Sequence, residues 1–569
     1  MSRQPANTFT HVGAWRLNLV RLVFVCLVIA LAWRLADIQV LNAGFLRNQG
    51  DARHVRDVTV PAHRGMILDR NGEPLAISTP VDSVWINPQE LSIDDPALKD
   101  LAKVLSIKVS KIKAKLKENQ PREFVYLKRR ISPELSDEVK QLKITGVALQ
   151  REYKRYYPAG EVAAHLVGFT NVDDTGQEGL ELTHEDTLTG VPGLKRMMRD
   201  RYGRYVGGGE LLVASKAGQN IQLSIDLRLQ YLSYQALKSA VTKYHARSGS
   251  AVVLDVKTGE VLAMVNQPAF NPNNRRGLSA SDYRNRAVID LFEPGSTVKP
   301  FTVATGLQSG IFEKSTIVDT NPGFFKVGGH AIKDHHNLGE ISLATLLQKS
   351  SNVGASKVAL ALKPEQQWQG FSSFGLASPT GAYFPGEAMG RLPDLQSWRE
   401  FDRATLAFGY GMATTTLQLA RGYMVLANGG ILRPVSLQKT EQVPAGRRVF
   451  SSDVMKSVLN MMEAVALPGG TAEQAAVVNY KVAGKTGTAI KAARGGYAEG
   501  KYVSLFAGVI PASNPRLAMV VMIDEPQGKV YYGGLVAAPV FSEVMTGAMR
   551  LLNIAPDNLP EQHLQVAQK

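Results

Sequence analysis

The sequence predicts a mixed α/β (α+β) chain in three parts, and three observations carry that prediction. One apolar run lies near the N-terminus, and a charge-rich stretch follows from about residue 50 to 220. From about Ile221 to Val540, apolar runs of strand length alternate with helical patterns. The 569 residues, 44% hydrophobic and 20% charged, suffice for several domains with their own cores, at about 150 residues per domain.

Leu17 to Trp33 is apolar apart from Asn18 and Arg21, and the run from Leu22 to Trp33 is uninterrupted. It falls short of the roughly 20 residues a spanning helix needs, so Arg21 and Arg34 are expected to snorkel at the ends of an anchor over 17–36. A cleaved signal peptide is the rival reading, since Ala30-Leu31-Ala32 resembles an A-x-A cleavage site. No Gly or Pro breaks the helix before that site, which favours an uncleaved anchor. Arg3, Arg16 and Arg21 precede the run without acids and place residues 1–16 on the cytoplasmic side. Arg34, Arg47 and Arg53 follow it, so the charge bias is small. Cys26, the single cysteine, lies in this run and excludes an internal disulfide.

In the 50–220 region, Lys103, Lys108, Lys111, Lys113, Lys115 and Lys117 surround a helical pattern and read as a solvated helix face. Gly207-Gly208-Gly209 and Lys216-Ala217-Gly218 read as linker or turns. Beyond Ile221, the apolar runs at 251–254 and 261–264 flank Lys257-Thr258-Gly259 as two strands around a hairpin turn. Asn352 to Leu362 and Thr416 to Leu426 read as helices, and Leu517 to Ile523 as a buried strand. The polar tail after about Pro556 reads as flexible. A formal charge of +15 suits acidic surroundings: an anionic membrane face, a carboxylate-rich polymer or nucleic acid. No nucleic-acid-binding module or aromatic-interleaved basic motif is present, so nucleic acid is not an expected partner.

Three short motifs follow in order: Ser296-Thr297-Val298-Lys299, Ser350-Ser351-Asn352 and Lys485-Thr486-Gly487-Thr488. Each is weak alone, because S-x-x-K recurs at Ser110 and Ser436 and K-T-G at Lys257. Only one choice gives this order with spacings suited to separate structural elements. The set resembles the S-x-x-K, S-x-N, K-T-G signature of serine enzymes acting on D-alanyl peptides and β-lactams. A serine hydroxyl must lose its proton as it attacks a carbonyl. Lys299, a helical turn after Ser296, can accept it if desolvation or a neighbouring cation lowers its pKa, and Lys485 is a candidate neighbour. Whether Lys299 is the base of acylation stays open. Ser296 is expected at a helix start, with Pro300 in the first turn and Gly310 as stop. Ser350 can relay a proton to the leaving amine, and Asn352 can hold a substrate amide. Lys485, Thr486 and Thr488 can bind a terminal carboxylate, and the N–H groups of Ser296 and Thr488 can form an oxyanion hole.

Other readings are weaker. Gly484-Lys485-Thr486 fails as a P-loop because position 479 is Asn where a glycine is required. His330, His335 and His336 cluster in a loop without supporting carboxylate spacing, so neither a metal nor any other cofactor is expected.

Further segments make the resemblance specific. Arg64-Gly65-Met66-Ile67-Leu68-Asp69-Arg70-Asn71-Gly72 resembles the R-G-x-x-x-D-R-N-G signature of the non-catalytic module of class B penicillin-binding proteins. Tyr157-Pro158-Ala159-Gly160, Ala164-His165 and the segment Gly176 to Glu181 are similar to further signatures there, with a structural role expected. The resemblance implies an elongated pedestal module over 50–220. It also implies a penicillin-binding transpeptidase domain over 221–555, with a central antiparallel sheet covered by helices and a short tail over 556–569. It further implies a single-pass protein of the bacterial inner membrane with a periplasmic catalytic domain. The activity implied is D,D-transpeptidation through a Ser296 acyl-enzyme, with Lys299 and Ser350 assisting and β-lactams acylating the same serine. An amine of a neighbouring stem peptide then forms a 4→3 cross-link.

The E-D-x-x-F-x-x-H glycosyltransferase signature of class A relatives is absent, so a SEDS-type glycan polymerase is the implied partner, beside other division proteins. The segments Ile523 to Pro526 and Tyr532 to Phe541 are most similar to the cell-division members, with the elongation paralogue as alternative. Tyr502 and Tyr532 are expected either as an aromatic wall beside the K-T-G strand or as core. The motifs do not choose the acceptor, so a D,D-carboxypeptidase or β-lactamase and a non-catalytic scaffold or sensor remain alternatives.

Overall fold

The computed structural model describes residues 13–199, 205–493 and 496–559. Residues 1–12 of the expected cytoplasmic segment and 560–569 of the expected tail lie outside them. The chain divides into two compact units: one of residues up to 62, 80–152 and 191–216, the other of 63–79, 153–190 and 217 onward. This differs from a linear boundary near residue 221, for a reason visible in the packing. Ile67, Leu75, Tyr157, Leu166 and Leu180 are buried in the same cluster as Val252, Phe301 and Val520. Two stretches of the charge-rich region therefore complete the core of the C-terminal unit.

In the first unit, the helix Ala14–Ala36 runs on through a wider turn at Asp37–Leu41. No residue of either is buried, and the combined stretch Ala14–Leu41 is long and apolar enough to cross a membrane. The helix Leu98–Leu105 buries Leu98, Leu101, Ala102 and Leu105, the stripe that a 3.6-residue period aligns. Val109–Glu118 buries Ile112 and Leu116 beside it. Lys103, Lys108, Lys111 and Lys117 are consequently exposed, whereas Lys115 is half-buried and donates to the Tyr126 carbonyl. Gly207-Gly208-Gly209 is not a linker. It lies in the strand Tyr205–Val213, paired with Gly193–Arg199, where the register shifts between Arg196 and Met198. Glycine serves that bulge, and Gly209 has a φ of +63°.

The second unit is built on a five-stranded sheet with strands β1 (Ser248–Asp255), β2 (Val261–Gln267), β3 (Ala483–Ala493), β4 (Gly496–Ile510) and β5 (Leu517–Asp524). Their order is β2-β1-β5-β4-β3 with every neighbour antiparallel, which leaves β3 at an edge. The helices that matter here are α1 (Leu227–Lys243), α2 (Lys299–Gln308), α3 (Leu343–Lys349), α4 (Asn352–Ala361), α5 (Thr416–Ala427) and α6 (Ala538–Leu551). Along β1 and β5 the side chains alternate between two dry faces. Val252, Leu254, Val520 and Met522 face the cluster that holds α5, and Ala251, Val253, Met519, Val521 and Ile523 the one that holds α1 and α6. Burial on both faces is why these strands read as unbroken apolar runs. Every residue of α5 is buried, as its lack of a polar face requires. Near the C-terminus, the Asp557 carboxylate accepts the Lys481 N–H at 2.8 Å and the Ser513 hydroxyl at 2.6 Å, so residues up to 559 are held against the unit.

The segment from Arg64 to Gly72 works as a buried clamp of this unit. The Arg64 guanidinium is 2% exposed and donates to Glu181 at 2.8 Å, Glu185 at 2.7 Å and Thr189 at 2.7 Å. Arg155 reaches the second Glu181 oxygen at 2.6 Å. Gly65 is glycine because a Cβ there would lie 1.9 Å from the Gln219 carbonyl oxygen. Asp69 accepts the N–H groups of Asn71 and Glu73 and, from its other oxygen, that of Leu227 at the start of α1. Arg64→Ala leaves two carboxylates short of their main cation, and is expected to cost about 3 kcal/mol, measured as a lowered denaturation midpoint of the full-length protein in detergent.

Candidate active site

Ser296 stands in a 3-10 turn, Gly295–Val298, that leads into α2 at Lys299. The expected helix start is thus displaced by three residues, because the tighter turn comes first. Pro300 falls in the first turn of α2, where its missing N–H costs nothing, and the helix ends at Gln308, shortly before Gly310. The turn is pinned on several sides. The Tyr423 hydroxyl donates to the Thr297 carbonyl at 2.8 Å, the Thr297 hydroxyl to Pro294 O at 2.7 Å, and the Gly295 N–H to Gly409 O at 3.2 Å.

Lys299 is fully buried, one turn beyond Ser296. Its Nζ donates to Ser350 O at 2.5 Å, Ser350 Oγ at 3.1 Å and Asn352 Oδ1 at 2.8 Å. Among the described residues no hydrogen bond joins it to Ser296 Oγ. Ser350 occupies the hinge between α3 and α4 with φ +60°, a left-handed conformation that a serine adopts only when its surroundings impose it. Asp334, which the motifs do not signal, helps to impose it. Its carboxylate accepts the N–H groups of Asn352 and Val353 at the start of α4, at 2.5 and 3.0 Å, and the Ser351 hydroxyl at 2.5 Å. An acid at a helix N-terminus is favoured by the free donors there.

Lys485, also fully buried, approaches Ser350 from β3, with Nζ 2.9 Å from Oγ. One hydroxyl therefore lies between two amines. Thr486 Oγ1 donates to Thr471 Oγ1 at 2.9 Å, and Thr488 Oγ1 accepts the Gly533 N–H at 3.0 Å. Gly487 lies against the Ser296 turn: a Cβ would sit 2.9 Å from Thr297 Cγ2 and 3.0 Å from Pro294 O. That close approach brings β3 alongside Ser296. The Ile490 N–H points off the sheet, to Tyr410 Oη at 3.2 Å. By strand alternation the N–H groups of Thr488 and Thr486 point the same way, free of β4. The Ser296 N–H, at the start of its turn, makes no backbone hydrogen bond among the described residues.

Ser296, Ser350, Asn352, Thr486, Thr488, Tyr502 and Tyr532 all line one cavity of about 550 Å³, while Lys299, Lys485 and Gly487 form its floor and flank. His335, Tyr410, Thr471 and Tyr531 complete the lining and went unnoticed in the sequence. Tyr531 joins the two expected tyrosines: its ring stacks on Tyr502 at 3.9 Å and on Tyr532 at 4.6 Å. Its place next to Tyr532 was the available signal. The loop His330–His336 contributes Asp334 and His335, while His330 packs on the Phe401 ring.

Burial lowers the Lys299 pKa far below the usual lysine range, and the Lys485 charge lowers it further, against a small opposing pull from Asp334. Burial brings Lys485 to about 7. Lys299 thus gives up its proton first, and a neutral amine and an ammonium flank Ser350. The arrangement offers a nucleophilic hydroxyl, a buried base, a cation for a carboxylate and two free N–H groups for an oxyanion.

Comparison with known proteins agrees with this chemistry. Residues 59–223 match the penicillin-binding protein dimerisation domain and residues 249–546 the penicillin-binding protein transpeptidase domain. The chain is 45% identical to the Escherichia coli peptidoglycan D,D-transpeptidase FtsI, over 98% of this chain and 96% of the relative. It is 41% identical to FtsI of Buchnera aphidicola, over 96% of each chain. A peptidoglycan synthetase of Bifidobacterium adolescentis superposes with a TM-score of 0.70 at 28% identity, over 89% of this chain and 98% of that one. The transpeptidase domain of Burkholderia pseudomallei penicillin-binding protein 3 does so at 0.55 and 42%, over 59% and 98%. The chain belongs to the class B penicillin-binding proteins, the serine D,D-transpeptidases of peptidoglycan.

Proposed function

We propose that this chain cross-links peptidoglycan stem peptides at the division septum and that Ser296 is its nucleophile. The observation that carries the assignment is the Ser350 hydroxyl held between two buried lysine amines, beside a serine on a pinned turn. Ser296 Oγ attacks the carbonyl of the penultimate D-alanine, and neutral Lys299 takes the proton. The N–H groups of Ser296 and Thr488 stabilise the oxyanion, a contribution of roughly 3–4 kcal/mol. Ser350 passes the proton to the departing D-alanine amine. Lys485, Thr486 and Thr488 hold the terminal carboxylate, and Asn352 holds an amide of the peptide. An amine of a second stem then attacks the acyl-enzyme, forming the new amide and freeing Ser296. β-Lactams acylate Ser296 in the same way.

The N-terminal helix anchors the protein with residues 1–16 in the cytoplasm and the catalytic unit outside, a reading supported by the basic residues ahead of the apolar run. A SEDS-type polymerase supplies the glycan strands, since the chain carries no glycosyltransferase signature.

Full-length protein mixed with penicillin is expected to gain one stable adduct by intact mass, and Ser296→Ala none. An adduct on Ser296→Ala would overturn the assignment, and one that hydrolyses within minutes would make the chain a hydrolase. The rate of acylation against pH is expected to be bell-shaped. It rises as Lys299 loses its proton and falls near pH 7 as Lys485 loses the charge that holds the carboxylate. Lys485→Met, at a lower overall rate, removes the alkaline limb. It also removes the cation that holds Lys299 down, so the acid limb moves to higher pH, measured by the same adduct across a pH series.

A further inference from the structure

A second cavity, of about 420 Å³, adjoins the first, and Ile490 lines both. It opens beside the far end of β3, and charges of both signs line it. Most of them are already paired. Arg284 and Arg286 bind Asp290, Arg247 binds Glu525, and Lys491 binds Asp524 and Glu525. Glu293 and Arg391 are the exceptions, with no ion pair among the described residues. One Glu293 oxygen accepts the Gly411 N–H at 2.8 Å and the Tyr497 hydroxyl at 3.3 Å, while Oε2 is buried without a hydrogen-bond partner. Arg391 lies near enough for its charge to act on Glu293. A buried carboxylate oxygen without a donor is costly, and a ligand ammonium would relieve that cost.

The sheet edge fixes which part of a peptide arrives here. With the terminal carboxylate at Lys485 and Thr486 and the acylated carbonyl at Thr488, an extended donor peptide runs antiparallel to β3, adding a strand to its free edge. The preceding residue lies about 3.4 Å further along, opposite Ile490 and at the mouth of the second cavity. A 4→3 cross-link requires that this third residue carry a side-chain amine, in the donor stem as in the acceptor.

We propose that this cavity is the subsite for the third residue of the donor stem and selects a side chain ending in both an ammonium and a carboxylate. Glu293 receives the ammonium and Arg391 the carboxylate. A stem whose third residue carries an amine alone uses half of the site. The inference rests on Ser296 acyl transfer as proposed above and adds its substrate class.

Penicillins test it, because their acylamino side chain takes the place of the residue before the acylated D-alanine. Four derivatives of one nucleus, with aminoadipyl, adipyl, aminohexanoyl and hexanoyl side chains, are compared by their second-order rates of acylation of the full-length protein in detergent. The zwitterionic aminoadipyl compound is expected to react about tenfold faster than the hexanoyl one, with the singly charged compounds between. Arg391→Ala removes the gain from the carboxylate and Glu293→Gln the gain from the ammonium. The hexanoyl rate in Arg391→Ala stays within about twofold of the original. Equal rates for all four compounds, or a preference for hexanoyl, overturn the inference and leave the nucleophile standing. An adipyl rate equal to the aminoadipyl rate overturns the ammonium half. If the hexanoyl compound forms no adduct at all, Ser296 acyl transfer falls and the subsite with it.

Discussion

Two lysine amines are buried against one serine hydroxyl, and the rest of the catalytic unit is arranged around holding them there. An amine removed from water resists protonation, and a second amine close by resists it further. Lys299 and Lys485 are both fully buried, on α2 and β3, and Ser350 lies within 3.1 Å of one and 2.9 Å of the other. Left to relax, two such groups would separate or draw in water. They stay because each is set on a regular element and because Ser350, Asn352 and the Ser350 carbonyl accept their protons.

The scaffold supplies that rigidity from several directions. The turn bearing Ser296 is tied to α5 through Tyr423 and to the 409 loop through Gly295. The hinge bearing Ser350 is strained, and the Asp334 carboxylate at the start of α4 holds it. β3 can come alongside Ser296 only because Gly487 has no side chain. Being an edge strand, β3 keeps every second N–H unspent, so one chain segment supplies the Lys485 cation, the hydroxyl of Thr488 and an oxyanion donor. The same edge continues past Ile490 to the cavity that holds Glu293 and Arg391, so substrate reading and catalysis use one register.

Arg64 shows how far this support reaches. It lies in the region that composition assigns to a separate module, yet its partners Glu181, Glu185 and Thr189 belong to the unit that carries the site. Its neighbour Asp69 caps α1, which packs on the face of the sheet opposite α5. The conspicuous motif far from the catalytic residues is thus a clamp on the catalytic unit's own core.

The sequence by itself determined the order of the elements and the identity of the reacting groups. Period-2 and unbroken apolar runs located β1, β2 and β5, because burial on one face or two leaves its mark residue by residue. The motif set named Ser296, Lys299, Ser350, Asn352 and Lys485, because that chemistry tolerates few substitutes at those spacings. Only the tertiary structure decided that residues 63–79 and 153–190 join the catalytic unit, since composition does not record which cores merge. It also decided that Asp334, Tyr410, Thr471 and Tyr531 complete the site. Each comes from a different loop with no local period, and their meeting follows from the packing of the whole unit. The three glycines at 207–209 read as linker for the same reason: local composition registers flexibility, whereas pairing with a distant strand is a long-range event.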